Sequence, residues 1–144
     1  MQIHIIAVGK VKERGIRAAL DDYLKRIGRY GRVFETELKD SADVEARFRK
    51  ALPERSRIVA MEVEGKAMSS HRFADFIGGC ENQGVQSVAF LIGGSYGLPA
   101  SLSKEADLQL SLSKMIFPHR LARLFLAEQI YRAFSILRNE PYSH

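Results

Sequence analysis

The sequence predicts an α/β fold with a mostly parallel sheet flanked by helices. Segments typical of buried strands alternate with amphipathic helical segments, and the connections between them are short. Parallel neighbours need a crossover connection, which the intervening helices provide. A chain of 144 residues has the size of one ordinary domain, so we expect residues 1–144 to form a single domain.

The first half of the chain contains three predicted strands and two predicted helices. The strands are rich in β-branched and aromatic residues, and we place them at residues 2–8, 34–38 and 57–63. The third strand should end at residues 64–65. The first helix follows a turn at Gly9, and its apolar residues at helical spacing are Ile16, Leu20, Tyr23, Leu24 and Ile27. A short charged helix is expected between a cap at Asp40 or Ser41 and Pro53.

The second half of the chain ends in the clearest helix. Before it, Ser69 or Ser70 is the expected cap of a third helix, which the glycines at 78 and 79 should weaken or end early. Strands are expected at 85–92 and 108–112, on either side of a short helix at 101–106. The last helix should run from residue 118 or 119 to about 137. Its apolar residues cover more than one stripe, which predicts the sheet on one side and a partner subunit on the other.

Composition excludes several classes of protein. With 46% hydrophobic and 27% charged residues, the chain is neither disordered nor fibrous. The longest apolar run, at 88–92, is too short to span a bilayer, and no basic segment precedes a signal-like apolar region, so we expect a cytoplasmic protein without membrane association. Cys80 has no second cysteine to pair with, and the four histidines lack the spacing of a metal site. We expect neither disulfide nor metal.

The positive charge lies near the two ends of the chain. Residues 1–33 hold eight basic and three acidic residues, residues 34–117 hold ten and twelve, and residues 118–144 hold four and two. A net charge of +5 arranged in this way favours a polyanion such as nucleic acid as the partner. A solvated basic helix face is the alternative explanation.

Three segments are candidates for chemistry. The glycine-rich loop at residues 92–99 follows a buried strand, where α/β folds bind ligands, although its spacing fits neither a dinucleotide fingerprint nor a phosphate loop. Residues 110–119 run into a helix start at Pro118, whose free amides favour a polar group near His119. Residues 139–144 combine aromatic and imidazole groups that could stack on a base. Taken singly, each segment also has a purely structural explanation. The first can be a plain turn, the second a strand-to-helix connection and the third a frayed chain end.

Taken together, these segments resemble the RlmH family of SPOUT-class methyltransferases. The resemblance covers the whole chain and is carried by AVGK at 7–10, FLIGG at 90–94, GL at 97–98, LSLS at 110–113, FPH at 117–119, Arg123, EQIYRA at 128–133 and PY at 141–142. It implies S-adenosylmethionine-dependent methylation of N3 of a pseudouridine in the helix 69 loop of 23S rRNA, within the assembled ribosome. It also implies a C-terminal trefoil knot that forms the cofactor pocket, and a homodimer with the target base at the subunit interface.

The resemblance also implies which residues form the site. The positions that match the cofactor-binding residues of the family are Met61, Gly93, Leu112, Ser113, Lys114, Met115, Ile116 and Phe117. His119 is the expected base or orienting group for the uracil edge, Arg123 the group that holds an RNA phosphate or carbonyl, and Tyr142 the stacking residue. The family usually has histidine directly after Pro-Tyr, whereas this chain has Ser143 there and His144 next.

Two other functions are compatible with the sequence. One is a non-catalytic rRNA-binding module with a degenerate cofactor pocket, against which the intact run at 112–117 argues. The other is a different nucleotide-dependent α/β enzyme, against which the missing acidic residue of a dinucleotide site argues.

Overall fold

The computed structural model describes residues 1–142, in which strands and helices alternate along the chain. The strands are β1 (Gln2–Val8), β2 (Val33–Leu38), β3 (Ser56–Ala67), β4 (Ser87–Ile92) and β5 (Leu108–Ser111). The helices are α1 (Arg14–Ile27), α2 (Val44–Ala51), α3 (Ser70–Asn82), α4 (Ala100–Glu105) and α5 (His119–Leu137). The predicted α/β class is confirmed.

The five strands form one parallel sheet in the order β2-β1-β4-β3-β5. β4 lies between β1 and β3, two strands that precede it in the chain, and is buried at every residue. β5 then pairs with the other side of β3. Because all strands are parallel, the loops that follow β3, β4 and β5 meet at one edge of the sheet.

Helices cover both faces of the sheet. Alternate residues of β1 point to opposite faces, as in any strand: Ile3, Ile5 and Ala7 belong to the larger core cluster, and Ile6 and Val8 to the smaller one. The larger cluster includes buried residues of α1, α3 and α5, and the smaller includes those of α2 and α4. This double burial explains why β1 and β4 are almost uninterrupted apolar runs.

β3 is longer than the sequence predicts. It continues past residues 64–65 to Ala67, with a register shift against β5 between Met61 and Lys66. Gly65 allows this extension, because a Cβ at that position would lie 2.8 Å from the backbone carbonyl of Gln109. The expectation that Gly65 ends the strand is therefore wrong, and the glycine instead permits close approach to the neighbouring strand.

Two helices also differ from expectation. The glycines at 78 and 79 do not end α3, which runs to Asn82, since Gly78 makes room for Leu137: a Cβ there would lie 2.8 Å from Leu137 Cδ2. The expected Ser69 cap is confirmed, because its side chain accepts a hydrogen bond from the Arg72 amide.

α2 begins after Asp43 rather than at Asp40 or Ser41, because the Ser41 hydroxyl donates to the Asp43 carboxylate instead of capping the helix.

α5 begins after Pro118 and packs between α1 and α3 against the sheet. The wide apolar surface that the sequence assigns partly to a partner subunit is thus covered largely by helices of the same chain. Phe125 is the large apolar side chain of α5 that is left open, with 41% of its surface exposed.

Candidate active site

A cavity of about 320 Å³ lies at the carboxyl edge of the sheet. Its walls come from the end of β3, the loop after β4, the segment after β5 and the first turn of α5. The lining residues are Met61, Glu62, Val63, Glu64, Ile92, Gly93, Gly94, Ser95, Gly97, Leu98, Leu110, Leu112, Ser113, Met115, Ile116, Phe117, His119 and Ala122. The predicted glycine loop and the predicted strand-to-helix segment therefore form one site.

The glycine loop folds tightly against itself. The Gly97 amide donates to the Gly94 carbonyl at 2.9 Å, and the two residues form an antiparallel bridge. A Cβ at Gly93 would lie 2.3 Å from the Gly97 carbonyl carbon, so no larger residue fits without moving the loop. Gly97 has a φ of +79°, a conformation that glycine adopts without strain.

The segment after β5 is fixed to the end of β3. The Ser111 hydroxyl donates to the Val63 carbonyl at 2.8 Å or to the Ser113 carbonyl at 3.0 Å, and the Met115 amide donates to Ser113 Oγ at 3.0 Å. Beyond this turn, Met115 and Ile116 are 74% and 84% exposed. Two large apolar side chains thus stand open to solvent at the mouth of the cavity, where a ligand or a macromolecule could cover them.

Most of the predicted cofactor-binding residues line this cavity. They are Met61, Gly93, Leu112, Ser113, Met115, Ile116 and Phe117. Lys114, which is exposed, does not line it. Sequence reasoning missed Glu62 and Glu64, although their place after the buried part of β3, at the ligand-binding edge of a parallel sheet, is a usable signal.

The lining fits a nucleoside that carries positive charge. Apolar side chains from three elements form the walls, as a purine ring requires, and the glycine loop and the 112–117 segment add backbone amides and carbonyls. Glu62 and Glu64 add acidic residues to the same lining, and their negative charge matches a sulfonium or ammonium group. The cavity thus has the donor set that S-adenosylmethionine needs.

His119 lies at the rim, on the first turn of α5. Its Nδ1 is buried and has no hydrogen-bond partner among residues 1–142. Burial lowers the pKa of His119 below its usual 6.5, and the positive charges of Arg123 and Arg120 act in the same direction, while Glu13 and Glu37 oppose them. The imidazole is therefore neutral near pH 7, with one ring nitrogen available to accept a proton.

Arg123 does not reach the cavity. Its side chain has no exposed surface, its Nη1 pairs with Glu35 at 3.0 Å and with Glu37, and its Nη2 donates to the Gly9 carbonyl at 3.0 Å. The guanidinium is already enclosed by two carboxylates and the backbone. This corrects the expectation that Arg123 holds an RNA phosphate or carbonyl.

Tyr142 follows the C-terminus of α5 and packs back against the middle of that helix. Its hydroxyl donates to Glu128 Oε2 at 2.8 Å and lies 3.2 Å from the hydroxyl of Tyr23, and its ring meets Tyr131 edge to face at 4.6 Å. Burial and the bonds to Tyr23 and Glu128 raise the pKa of Tyr142, so the phenol keeps its proton. Glu128 follows His119 by nine residues, about 13.5 Å along a helix, so Tyr142 is remote from the cavity of its own chain.

Some sequence expectations concern other parts of the chain. Ser143 and His144 lie outside the described residues. Among residues 1–142, no cluster of three or more potential metal-ligating side chains occurs, and no helix combines the length and apolar character that crossing a membrane demands.

Comparisons with known proteins agree with this geometry. A family model described as "Predicted SPOUT methyltransferase" matches residues 1–144. Ribosomal RNA large subunit methyltransferase H of Sorangium cellulosum (strain So ce56) is 48% identical over 100% of both chains, and the protein of that name from Clostridium botulinum (strain Okra / Type B1) is 40% identical over 99% of both.

Among solved structures, a probable methylase family protein from Haemophilus influenzae Rd KW20 superposes with a TM-score of 0.60 at 11% identity, covering 99% of this chain and 70% of that one. At this identity the likeness shows the fold alone. The two curated relatives and the family model extend over the full chain. The chain therefore belongs to the RlmH family of SPOUT methyltransferases.

Proposed function

We propose that this protein transfers a methyl group from S-adenosylmethionine to N3 of a pseudouridine in the helix 69 loop of 23S rRNA, acting on the assembled ribosome as one domain per chain. The observation that carries the proposal is the cavity at the carboxyl edge of the sheet with His119 at its rim, whose buried Nδ1 has no partner among residues 1–142. Full-length similarity to relatives named for methylation of large-subunit ribosomal RNA supports the substrate class.

The chain's contribution begins with holding the cofactor. Met61, Leu112 and Phe117 would provide apolar walls for the adenine, and the backbone around Gly93 would offer amides and carbonyls to its polar edge. Bound S-adenosylmethionine supplies an electrophilic methyl group on a sulfonium. The tight Gly93–Gly97 turn would give the bound cofactor a rigid wall, and alignment of the reacting atoms accounts for much of the acceleration in a displacement reaction.

His119 provides the acid–base chemistry. The attacking N3 carries a proton that must leave, and a neutral imidazole within hydrogen-bond reach can take it or orient the uracil edge. The lowered pKa of His119 keeps the ring neutral at physiological pH. His119 lines the same cavity as the open apolar side chains of Met115 and Ile116, which would cover an incoming base.

We also propose that the active form is a homodimer in which Tyr142 serves the site of the other chain. Within one chain, Tyr142 bonds to Glu128, which lies about 13.5 Å along α5 from His119, too far for Tyr142 to stack on a base held there. The exposed apolar side chains of Phe125, Met115 and Ile116 give a second copy a surface to cover. A stacking role for Tyr142 therefore requires a second subunit.

The methylation is tested by reconstitution. Ribosomes from a strain that lacks the gene are incubated with the purified protein and S-adenosylmethionine, and their rRNA is digested and mapped by mass spectrometry. We expect one added methyl group, on the pseudouridine-containing fragment of the helix 69 loop, and none with His119→Ala. Methylation at a different nucleotide would contradict the substrate assignment. Failure of the protein to bind S-adenosylmethionine in calorimetry would favour a non-catalytic RNA-binding module.

The dimer is tested by complementation. His119→Ala and Tyr142→Ala chains, each inactive as homodimers, are mixed through unfolding and refolding so that heterodimers form. If Tyr142 acts across the interface, each heterodimer has one intact site and regains about half of the wild-type rate per dimer. If Tyr142 acts within its own chain, both sites stay defective and mixing restores nothing.

A further inference from the structure

An ionic cluster built around the buried Arg123 joins α5 to the β2 edge of the sheet. Arg123 on α5 meets Glu35 and Glu37 on β2, the edge strand, and Arg17 on α1 pairs with the same Glu35 at 2.6 Å. Arg17 also pairs with Asp21 at 2.7 Å on the outer side. Burying ion pairs contributes little net stability compared with apolar packing, so a fully enclosed arginine beside a candidate active site calls for a further explanation.

The cluster holds residues 9–11, the first part of the loop between β1 and α1. Arg123 Nη2 donates to the Gly9 carbonyl at 3.0 Å, and the Val11 amide donates to Glu37 Oε2 at 3.1 Å. The Gly9 amide itself donates to the Leu38 carbonyl at 2.8 Å. The backbone of this loop is therefore tied at three points, two of which depend on the Arg123–Glu37 pair.

This loop packs directly on the His119 ring. Gly9 has a φ of +92°, and a Cβ there would lie 3.1 Å from His119 Cε1 and 3.2 Å from Nε2. The bare backbone of Gly9 thus forms one wall of the imidazole pocket. Since His119 makes no hydrogen bond through Nδ1 to the rest of residues 1–142, this packing is a principal restraint on the ring.

We propose that Arg123 is a positioning residue, which acts with Glu37 to fix the 9–11 loop and thereby holds the His119 imidazole at the rim of the cavity. The proposal rests on the proposed function for the role of His119. An arginine suits the task because its planar fork reaches two carboxylates and a carbonyl at once, whereas a lysine ammonium offers one centre of charge. Arg123 follows His119 by four residues and so lies on the same face of α5.

Arg123→Lys is the central test. It keeps the positive charge but cannot span Glu35, Glu37 and the Gly9 carbonyl together. We expect the rate of rRNA methylation at saturating S-adenosylmethionine to fall by about 10- to 100-fold, as for small displacements of reacting groups, and the Kd of S-adenosylmethionine to stay within about twofold. We also expect changed His119 ring nitrogen shifts and pKa in NMR spectra of protein labelled with ¹⁵N-histidine.

Two further variants separate positioning from stability. Ile130→Ala removes buried apolar contacts of the same helix without touching the cluster, and we expect a lower Tm with an unchanged rate and unchanged His119 signals. Glu37→Gln keeps the shape of the side chain but removes its negative charge, which weakens the hydrogen bonds from Arg123 and from the Val11 amide. We expect it to change the rate and the His119 signals in the same way as Arg123→Lys but less, and it replaces that variant if Arg123→Lys does not fold.

The proposal is overturned if folded Arg123→Lys keeps both the wild-type rate and the wild-type His119 spectrum, or if Ile130→Ala reproduces both changes. The NMR measurement needs neither cofactor nor ribosome. If the wild-type protein fails to methylate rRNA, the proposed function is wrong. The positioning role of Arg123 is then tested by NMR alone, and an unchanged His119 spectrum in Arg123→Lys overturns it.

Discussion

The two ends of α5 use similar residues in opposite ways. Toward the C-terminal end, Glu128 at the middle of the helix accepts hydrogen bonds from Arg132 at 2.7 Å and from Tyr142 at 2.8 Å, and the ring of Tyr142 lies under the Arg132 guanidinium. At the N-terminal end, His119 Nδ1 and Arg123 Nε are buried without a partner among residues 1–142. Hydrogen-bonded polar groups hold elements together, whereas a buried polar group without a partner near a cavity marks a candidate functional position.

Spacing alone does not distinguish the two ends. Glu128 and Arg132 are four residues apart and form the ion pair that helical geometry favours. His119 and Arg123 are also four apart, but Arg123 reaches away from its own helix to β2. At the candidate functional end, Arg123 therefore pairs with a strand of the sheet and not with its own helix.

The largest effect is expected from His119→Ala. Loss of a general base costs about 10²- to 10⁴-fold in rate, so we expect single-turnover methylation to fall at least a hundredfold. Calorimetry should show a nearly unchanged Kd of S-adenosylmethionine. The matched control at the other end of α5 is Arg138→Met, which removes the pair with Glu81 and should leave the rate unchanged. An equal loss of rate in both variants would contradict the difference between the two ends.

Gly93→Ala is expected to come next. Its added Cβ would meet the backbone of Gly97 at 2.3 Å, so the glycine loop must move, and we expect the Kd of S-adenosylmethionine to rise by about tenfold, or about 1.4 kcal/mol. Gly79→Ala is the control: nothing lies within 4 Å of its added Cβ, and alanine stabilises a helix interior by about 0.5–1 kcal/mol. Weaker binding in Gly79→Ala would show that the effect is not local.

Tyr142→Phe tests the paired end of α5. It removes the hydrogen bonds to Glu128 and Tyr23 but keeps the ring, so we expect the free energy of unfolding to fall by about 1 kcal/mol in urea denaturation. The methylation rate should stay close to that of the wild type, because stacking needs only the ring. A loss of rate as large as that of His119→Ala would give the hydroxyl a part in the chemistry.

The smallest effect is expected from Arg120→Met. Protonated His119 cannot act as a base, so the rate should fall only at pH values below its lowered pKa. Arg120 helps to lower this pKa, so its removal should raise it and move the acid limb of the pH–rate profile to higher pH, with no change on the alkaline plateau. An NMR titration of His119 measures the pKa directly, and an unmoved or downward-shifted value would contradict the prediction.

The elements of the fold were largely predictable, because each depends on its own residues. The periodicity of α1 and α5 and the apolar runs of β1 and β4 are local signals, and so is the Ser69 cap. The extension of β3 through Gly65 was not predictable from the sequence, since it depends on how closely β5 approaches. Likewise, Gly78 supports a helix instead of ending it because Leu137, far along the chain, needs the space.

The candidate site divides in the same way. The sequence by itself determined the glycine loop, the 112–117 segment, His119 and the family, because these are short motifs at fixed spacing. The trefoil knot, which family membership implies, has no such local signature. Only the tertiary structure decided the partners of Arg123: Glu35 and Glu37 precede it by 88 and 86 residues, and they meet it because the parallel sheet places β2 beside β1, next to α5. Such contacts arise from packing, and no local pattern encodes them.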